Sequence, residues 1–155
     1  MQKPASRSQN NRGALDAESH AEAFQKTRDA RRSELVEDYV ELVAELIDTE
    51  GEARQVEIAR RLGVAQPTVA KMLKRLTEEG LTLQKPYRGI FLTEAGRQLA
   101  SECRRRHEIV ESFLRALGID AEIARYDAEG IEHYVSAETL EVFEQFVAQH
   151  RAGTD

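Results

Sequence analysis

Gln55-Val56-Glu57-Ile58-Ala59-Arg60-Arg61-Leu62-Gly63-Val64-Ala65-Gln66-Pro67-Thr68-Val69-Ala70-Lys71-Met72-Leu73-Lys74-Arg75-Leu76 reads as two short helices around a tight turn. Val56, Ile58, Ala59 and Leu62 give the first an apolar side, and Val69, Met72, Leu73 and Leu76 do the same for the second. Gly63-Val64 marks the turn, and Pro67 at the first helical position gives up an N–H that has no helical partner there. Glu78-Glu79-Gly80 closes the second helix. Leu81-Thr82-Leu83 and Ile90-Phe91-Leu92 then alternate as short strands, with Lys85-Pro86-Tyr87-Arg88-Gly89 turning between them. Helix, turn, helix and basic hairpin is the order of a winged helix-turn-helix.

Upstream, Leu35, Val36, Tyr39, Val40, Leu42, Val43, Leu46 and Ile47 form one apolar helical face that stops at Gly51. Helical propensity builds from Ala21. The first 18 or so residues are polar and aperiodic, and are expected to be disordered. Downstream, Thr93 N-caps a long helix running to Leu117 with Gly118 as its stop. A short element over 123–135 follows, and Ser136 caps a last helix bearing Leu140, Phe143, Phe146 and Val147. These apolar stripes exceed what one small core needs, so part of them is expected to form a homodimer seam.

The 155-residue chain carries a net charge of −6, unevenly spread. From Arg54 to Phe91 eight basic residues face three acidic ones; from His107 onwards three basic residues face eleven acidic ones. A basic block on an acidic protein is a footprint for phosphate contacts, while the acidic half attracts cations. No apolar run approaches the roughly 18 residues that span a bilayer, and there is no signal-peptide core. The single Cys103 cannot form an internal disulfide. A cytoplasmic protein with no membrane partner is the expectation.

A recognition helix must offer short polar and basic side chains to the major groove while its other face packs. Gln66 and Thr68, beside Pro67 at the helix start, are candidates for base edges. Lys71, Lys74 and Arg75 suit phosphates, and Lys85 and Arg88 on the wing suit backbone or minor groove. Double-stranded DNA is the expected partner, the alternative being a solvated basic helix in a protein-interaction module.

Three further segments carry metal-capable groups at helical spacings: Asp38-x-x-Glu41, His107-x-x-x-Glu111, and Glu129-Gly130-Ile131-Glu132-His133. Five carboxylates, two imidazoles and no thiolate suit a hard or borderline divalent ion. The competing reading is three solvated charge clusters that never meet. Two carboxylates about 5 Å apart repel by roughly 3 kcal/mol at an effective dielectric near 20, so convergence would call for cations. One divalent ion leaves a formal −3 and two leave −1, which favours a binuclear site. Cys103, four residues before His107, can share its face but reads more simply as a small buried hydrophobe. His-Glu-x-x-His, its inverse, a Ser/His/Asp set and a phosphate-cradling Gly loop are all missing, so no enzyme and no small organic substrate are expected.

At Glu37-Asp38-Tyr39-x-Glu41, Pro67-Thr68-Val69-x-Lys71-Met72, Tyr87-Arg88-Gly89, Arg106-His107-Glu108 and Glu129-Gly130-Ile131-Glu132-His133 the sequence resembles the iron- and manganese-dependent repressors of the diphtheria-toxin-repressor family. The resemblance covers about Leu35 to Val147. It implies that Asp38, Glu41, His107, Glu111, Glu129, Glu132 and His133 are metal ligands. It further implies a homodimer that binds a palindromic operator, with Mn(II) as corepressor and manganese-uptake genes as targets. Iron-responding members place Cys where this chain has Glu129 and Met where it has Asp38, and oxygen ligands harden the site towards manganese. The expected architecture is mainly α. It comprises a polar N-terminal extension (1–31), disordered then helical, a winged helix-turn-helix of three helices and a two-stranded wing (32–100), and an α-helical metal-binding and dimerisation domain (101–155). An iron(II)-responsive repressor, or a winged-helix regulator with an organic effector, are the alternatives.

Overall fold

A computed structural model describes residues 16–151; the expectation of disorder for the first residues therefore lies largely outside it. Helix α1 runs from Ala17 to Glu50, opened by the Asp16 side chain, which accepts from the Ser19 N–H at 2.8 Å. The extension beyond residue 16 and the first apolar helix are thus one rod. Only its second half packs: Val36, Tyr39, Val40, Val43 and Leu46 recur at intervals of three and four and are buried.

The two helices around the turn are α2 (Gln55–Leu62) and α3 (Gln66–Glu78). Gly63 between them has φ 66°, a left-handed conformation that glycine adopts without the steric cost of a Cβ. The wing pairs β1 (Thr82–Lys85) with β2 (Gly89–Leu92) in antiparallel register, Thr82 opposite Leu92 and Lys85 opposite Gly89. Ala53 ties the wing back to α1, its carbonyl accepting from Ile90 N–H at 2.8 Å. Leu46, Ile58, Val69 and Leu76 meet in the core at 0 % exposure. Each such side chain contributes roughly 1.5–3 kcal/mol by burial.

Helix α4 (Glu94–Ala116) is N-capped by Thr93, whose hydroxyl accepts from Gly96 N–H at 3.1 Å. It continues without a break from the wing into the second half. There α5 (Ala121–Ile131) and α6 (Ala137–Arg151) pack on it. Phe113 of α4 stacks on Phe143 at 3.8 Å between centroids and meets Phe146 edge-on. The α6 stripe is therefore partly covered inside the subunit and stays half-buried, and Leu117, Ile123, Tyr126, Ile131, Tyr134 and Val142 are the large apolar side chains of this half left exposed. Among the described residues no helix is long and apolar enough to cross a membrane.

Candidate metal centre and nucleic-acid interface

Because α1, α4 and the end of α5 pack side by side, the three acidic segments converge. Glu132, the C-cap of α5, is 1 % exposed and lies at the centre. One of its carboxylate oxygens is 3.0 Å from His107 Nδ1 and the other 3.6 Å from His133 Nε2. The α4 side of the cluster continues with Glu129 at 3.2 Å from His107 Nδ1 and Glu111 at 3.5 Å from its Nε2. On the α1 side, Asp38 is 3.4 Å from His133 Nε2. Glu41 lines a cleft of about 740 Å³ together with Asp38, Glu129 and His133. The structure therefore brings together all seven residues expected from the sequence. It also corrects one detail: the last segment straddles a helix end, with Glu129 in the final turn and His133 beyond it, which lets the imidazole swing towards α1.

The electrostatics are those of a crowded anionic site. Burial, then the Glu41 carboxylate, push Glu132 up to about 8. Burial, then Glu129, push Glu41 up to about 7, and burial raises Asp38 as well. His133 is raised because Glu37 hydrogen-bonds it, against the opposing effect of burial. Among the described residues no three His, Cys, Asp or Glu side chains form a ready cage for a metal ion; the acids and imidazoles contact one another instead. Both oxygens of Glu132 nonetheless lack a hydrogen bond although they are buried. An orphaned carboxylate among raised acids, flanked by two imidazoles, is a donor set that fits a hard divalent cation. Cys103 is fully buried, and burial drives its thiol up to about 12, leaving it an inert core residue.

One residue carried no role in the sequence reading. Glu37 accepts from Arg106 at 2.6 Å and contacts His133 Nδ1 at 2.7 Å, while Ser33 donates to its other oxygen at 3.0 Å. Burial opposes its charge, but these hydrogen bonds and the Arg106 guanidinium overcome it and hold the carboxyl below the usual range. The signal was present: Glu37 is four residues before Glu41, on the same helix.

On the reader, Gln66, Pro67, Thr68, Ala70, Lys71 and Lys74 are exposed, and Val69, Met72, Leu73 and Leu76 are buried beneath them. Lys85 and Arg88 are exposed on the wing. Arg75 and Lys74 are not free cations: Arg75 binds Glu79 at 2.7 Å and Lys74 lies 3.9 Å from Glu78. Tyr87 at the wing tip, quoted in the sequence motifs but given no role there, is fully exposed with φ 63°. A non-glycine residue held in that region is uncommon, and such positions cluster at functional surfaces.

The profile described as iron dependent repressor, N-terminal DNA binding domain matches residues 33–90, and iron dependent repressor, metal binding and dimerisation domain matches residues 93–152. The transcriptional regulator MntR of Escherichia coli O157:H7 is 57% identical over 138 residues, covering 89% of this chain and 89% of the relative. The HTH-type transcriptional regulator MntR of Lysinibacillus sphaericus is 39% identical over 106 residues, covering 68% of this chain and 76% of its own. The solved structure of the manganese regulator SloR superposes with a TM-score of 0.64 at 33% identity, over 73% of this chain and 53% of that one. The manganese-activated repressor ScaR in its apo form gives 0.64 at 33% identity, over 71% and 53%. This chain thus spans about half the length of those two structures and most of the length of the Escherichia coli relative. The chain belongs to the diphtheria-toxin-repressor family of metal-dependent transcriptional regulators.

Proposed function

We propose that this chain is a manganese-responsive repressor in which the acidic cluster couples metal to DNA binding. Asp38, Glu41, His107, Glu111, Glu129, Glu132 and His133 are the ligands, shared between two Mn(II) ions per subunit. The observation that carries the reading is the buried Glu132 carboxylate, unbonded at both oxygens and placed between His107 and His133. Bound Mn(II) would supply the positive charge that five crowded carboxylates lack. Asp38 and Glu41 sit on the helix that underlies the reader, and the other five ligands sit on α4 and at the end of α5. Joining the two sets fixes the winged helix (32–100) relative to the metal-binding and dimerisation domain (101–155). In a homodimer that sets the spacing of the two recognition helices against a palindromic operator. Gln66 and Thr68, beside Pro67, read bases; Lys71, Lys74, Arg75, Lys85 and Arg88 hold phosphates. Repression of manganese-uptake genes in the cytoplasm is the physiological outcome; the names of the relatives, a transcriptional regulator and a manganese-activated repressor, support the manganese-responsive repression.

The test uses a duplex selected by the manganese-loaded protein from a random-sequence pool. Its affinity is measured for the wild type and Asp38→Ala across separate titrations with Mn²⁺, Fe²⁺ and Zn²⁺. Wild type should gain about 5- to 150-fold on manganese addition, the range of a 1–3 kcal/mol coupling, and Asp38→Ala should gain nothing. Equal gains in both proteins would remove Asp38 from the metal bridge. A gain with Fe²⁺ and none with Mn²⁺ would make the protein an iron sensor.

A further inference from the structure

The first half of α1 is almost bare, with Arg31 near its end reaching Tyr134, and its last turns are basic. Residues 17–29 are exposed apart from Ser19, which is half-buried. They and the following turn lie ahead of the family's DNA-binding domain, whose match begins at residue 33. After Glu18 and Glu22 in the opening turns, residues 26–32 carry Lys26, Arg28, Arg31 and Arg32 with one acid, Asp29, among them, and the sequence before Asp16 adds Lys3, Arg7 and Arg12 with no acid at all.

Their pairing sets these cations apart. Arg54, Arg60, Arg61, Lys74, Arg75, Arg97, Arg104, Arg105, Arg106 and Arg115 all lie within salt-bridge distance of a carboxylate. Among the described residues Lys26, Arg28, Arg31 and Arg32 form no such bridge, and neither do Lys71, Lys85 and Arg88 of the reader; Arg125 on α5 is the other exception. The arm thus resembles Lys71, Lys85 and Arg88, the unbridged part of the surface assigned to phosphates, more than it resembles Lys74 and Arg75.

The arm is also next to that surface. Leu35 and Tyr39 of α1 form one wall of a cleft whose other wall carries Lys71, Met72 and Arg75 of α3. At a rise of 1.5 Å per residue, Arg32 to Arg28 project roughly 5–10 Å beyond Leu35. Arg28 and Arg31, seven and four residues before Leu35, lie on the same side of the helix as Leu35. Because α1 is anchored by its buried second half, the arm needs no nucleation of its own and presents these charges on a stiff rod.

We propose that residues 26–32 of α1 form a second phosphate-binding element, which grips the DNA backbone beside the segment held by the recognition helix. The inference rests on the DNA-binding reading above. Its partner is duplex DNA of any sequence, because contacts to phosphate carry no sequence information.

The experiment compares full-length wild type with Lys26→Ala/Arg28→Ala/Arg32→Ala, binding a random-sequence duplex of about 40 base pairs in excess Mn²⁺ over a range of KCl. Arg31 is left in place because it lies against Tyr134. The variant should bind at least tenfold more weakly at low salt. Its log K against log[salt] line should be shallower by about 0.9 for each phosphate that the arm neutralises in the wild type. Manganese affinity and dimer dissociation should match wild type. An unchanged salt slope would overturn the proposal, and so would a weakened dimer with the slope intact, which would make the arm a subunit contact. Failure of the wild type itself to bind the duplex would instead count against the DNA-binding reading.

Discussion

Glu37 holds His133 by its Nδ1, 2.7 Å away, and so turns Nε2 towards Asp38 and Glu132. A carboxylate behind a histidine fixes its tautomer and raises its basicity as a ligand. Arg106 and Ser33 in turn hold the carboxylate. Glu37→Gln should therefore fold and dimerise normally while binding Mn²⁺ about 10- to 100-fold more weakly, the usual range for losing such a partner. Calorimetric titration checks this, and unchanged affinity would mean that His133 is oriented by packing alone.

The raised acids make stability and metal binding depend on pH in opposite directions. Glu132 and Glu41 move from an ordinary 4.5 to about 8 and about 7 in the fold. Between those limits the folded chain holds protons that the unfolded chain has released, so metal-free stability should fall as pH rises. His133, also raised, adds to the same trend, since the stability from its proton is lost as pH climbs through its folded value. Glu37, which is lowered, acts only in acid, where its contribution disappears as it protonates. Manganese needs the deprotonated carboxylates, so its affinity should rise over the same interval with release of protons. Thermal melts in chelator and in excess Mn²⁺ between about pH 5 and pH 8 should diverge; parallel curves would rule out titration of these acids.

Lys71 and Arg75 should behave differently despite lying one helical turn apart. Arg75 is engaged by Glu79 at 2.7 Å, whereas Lys71 has no carboxylate partner among the described residues. Lys71→Ala should flatten the salt dependence of DNA binding by about 0.9 in slope, and Arg75→Ala by clearly less. Loss of sequence preference with the slope unchanged would make either one a base reader.

Gly96 sits where α4 crosses the start of the wing, and a Cβ there would lie 2.1 Å from the Leu81 carbonyl oxygen. That carbonyl already accepts from the Thr93 N–H at 3.0 Å, so the backbone has little room to retreat. Gly96→Ala should cost about 3 kcal/mol or more, at the upper end of overpacking, read as a lower denaturant midpoint. A midpoint equal to wild type would show that α4 can shift on the wing.

Local pattern determined the reader. The apolar intervals around Gly63, the Pro67 start and the basic hairpin fix α2, α3 and the wing through interactions a few residues apart, which is why the sequence located them closely. It also named the seven acidic and imidazole residues of the cluster, since spacings of three and four place them on shared faces. Which of those faces meet is a long-range matter. His133 reaches Glu37 across 96 positions and Arg106 reaches it across 69, and no local signal encodes either distance. The fate of the Phe143 and Phe146 stripe was equally hidden: an apolar face seeks a partner, and only packing showed that Phe113 of the same chain covers part of it and leaves both rings half-buried. The almost bare first half of α1 was invisible for the converse reason. Helical propensity predicts a helix whether or not anything packs on it, and the tertiary structure left this one exposed.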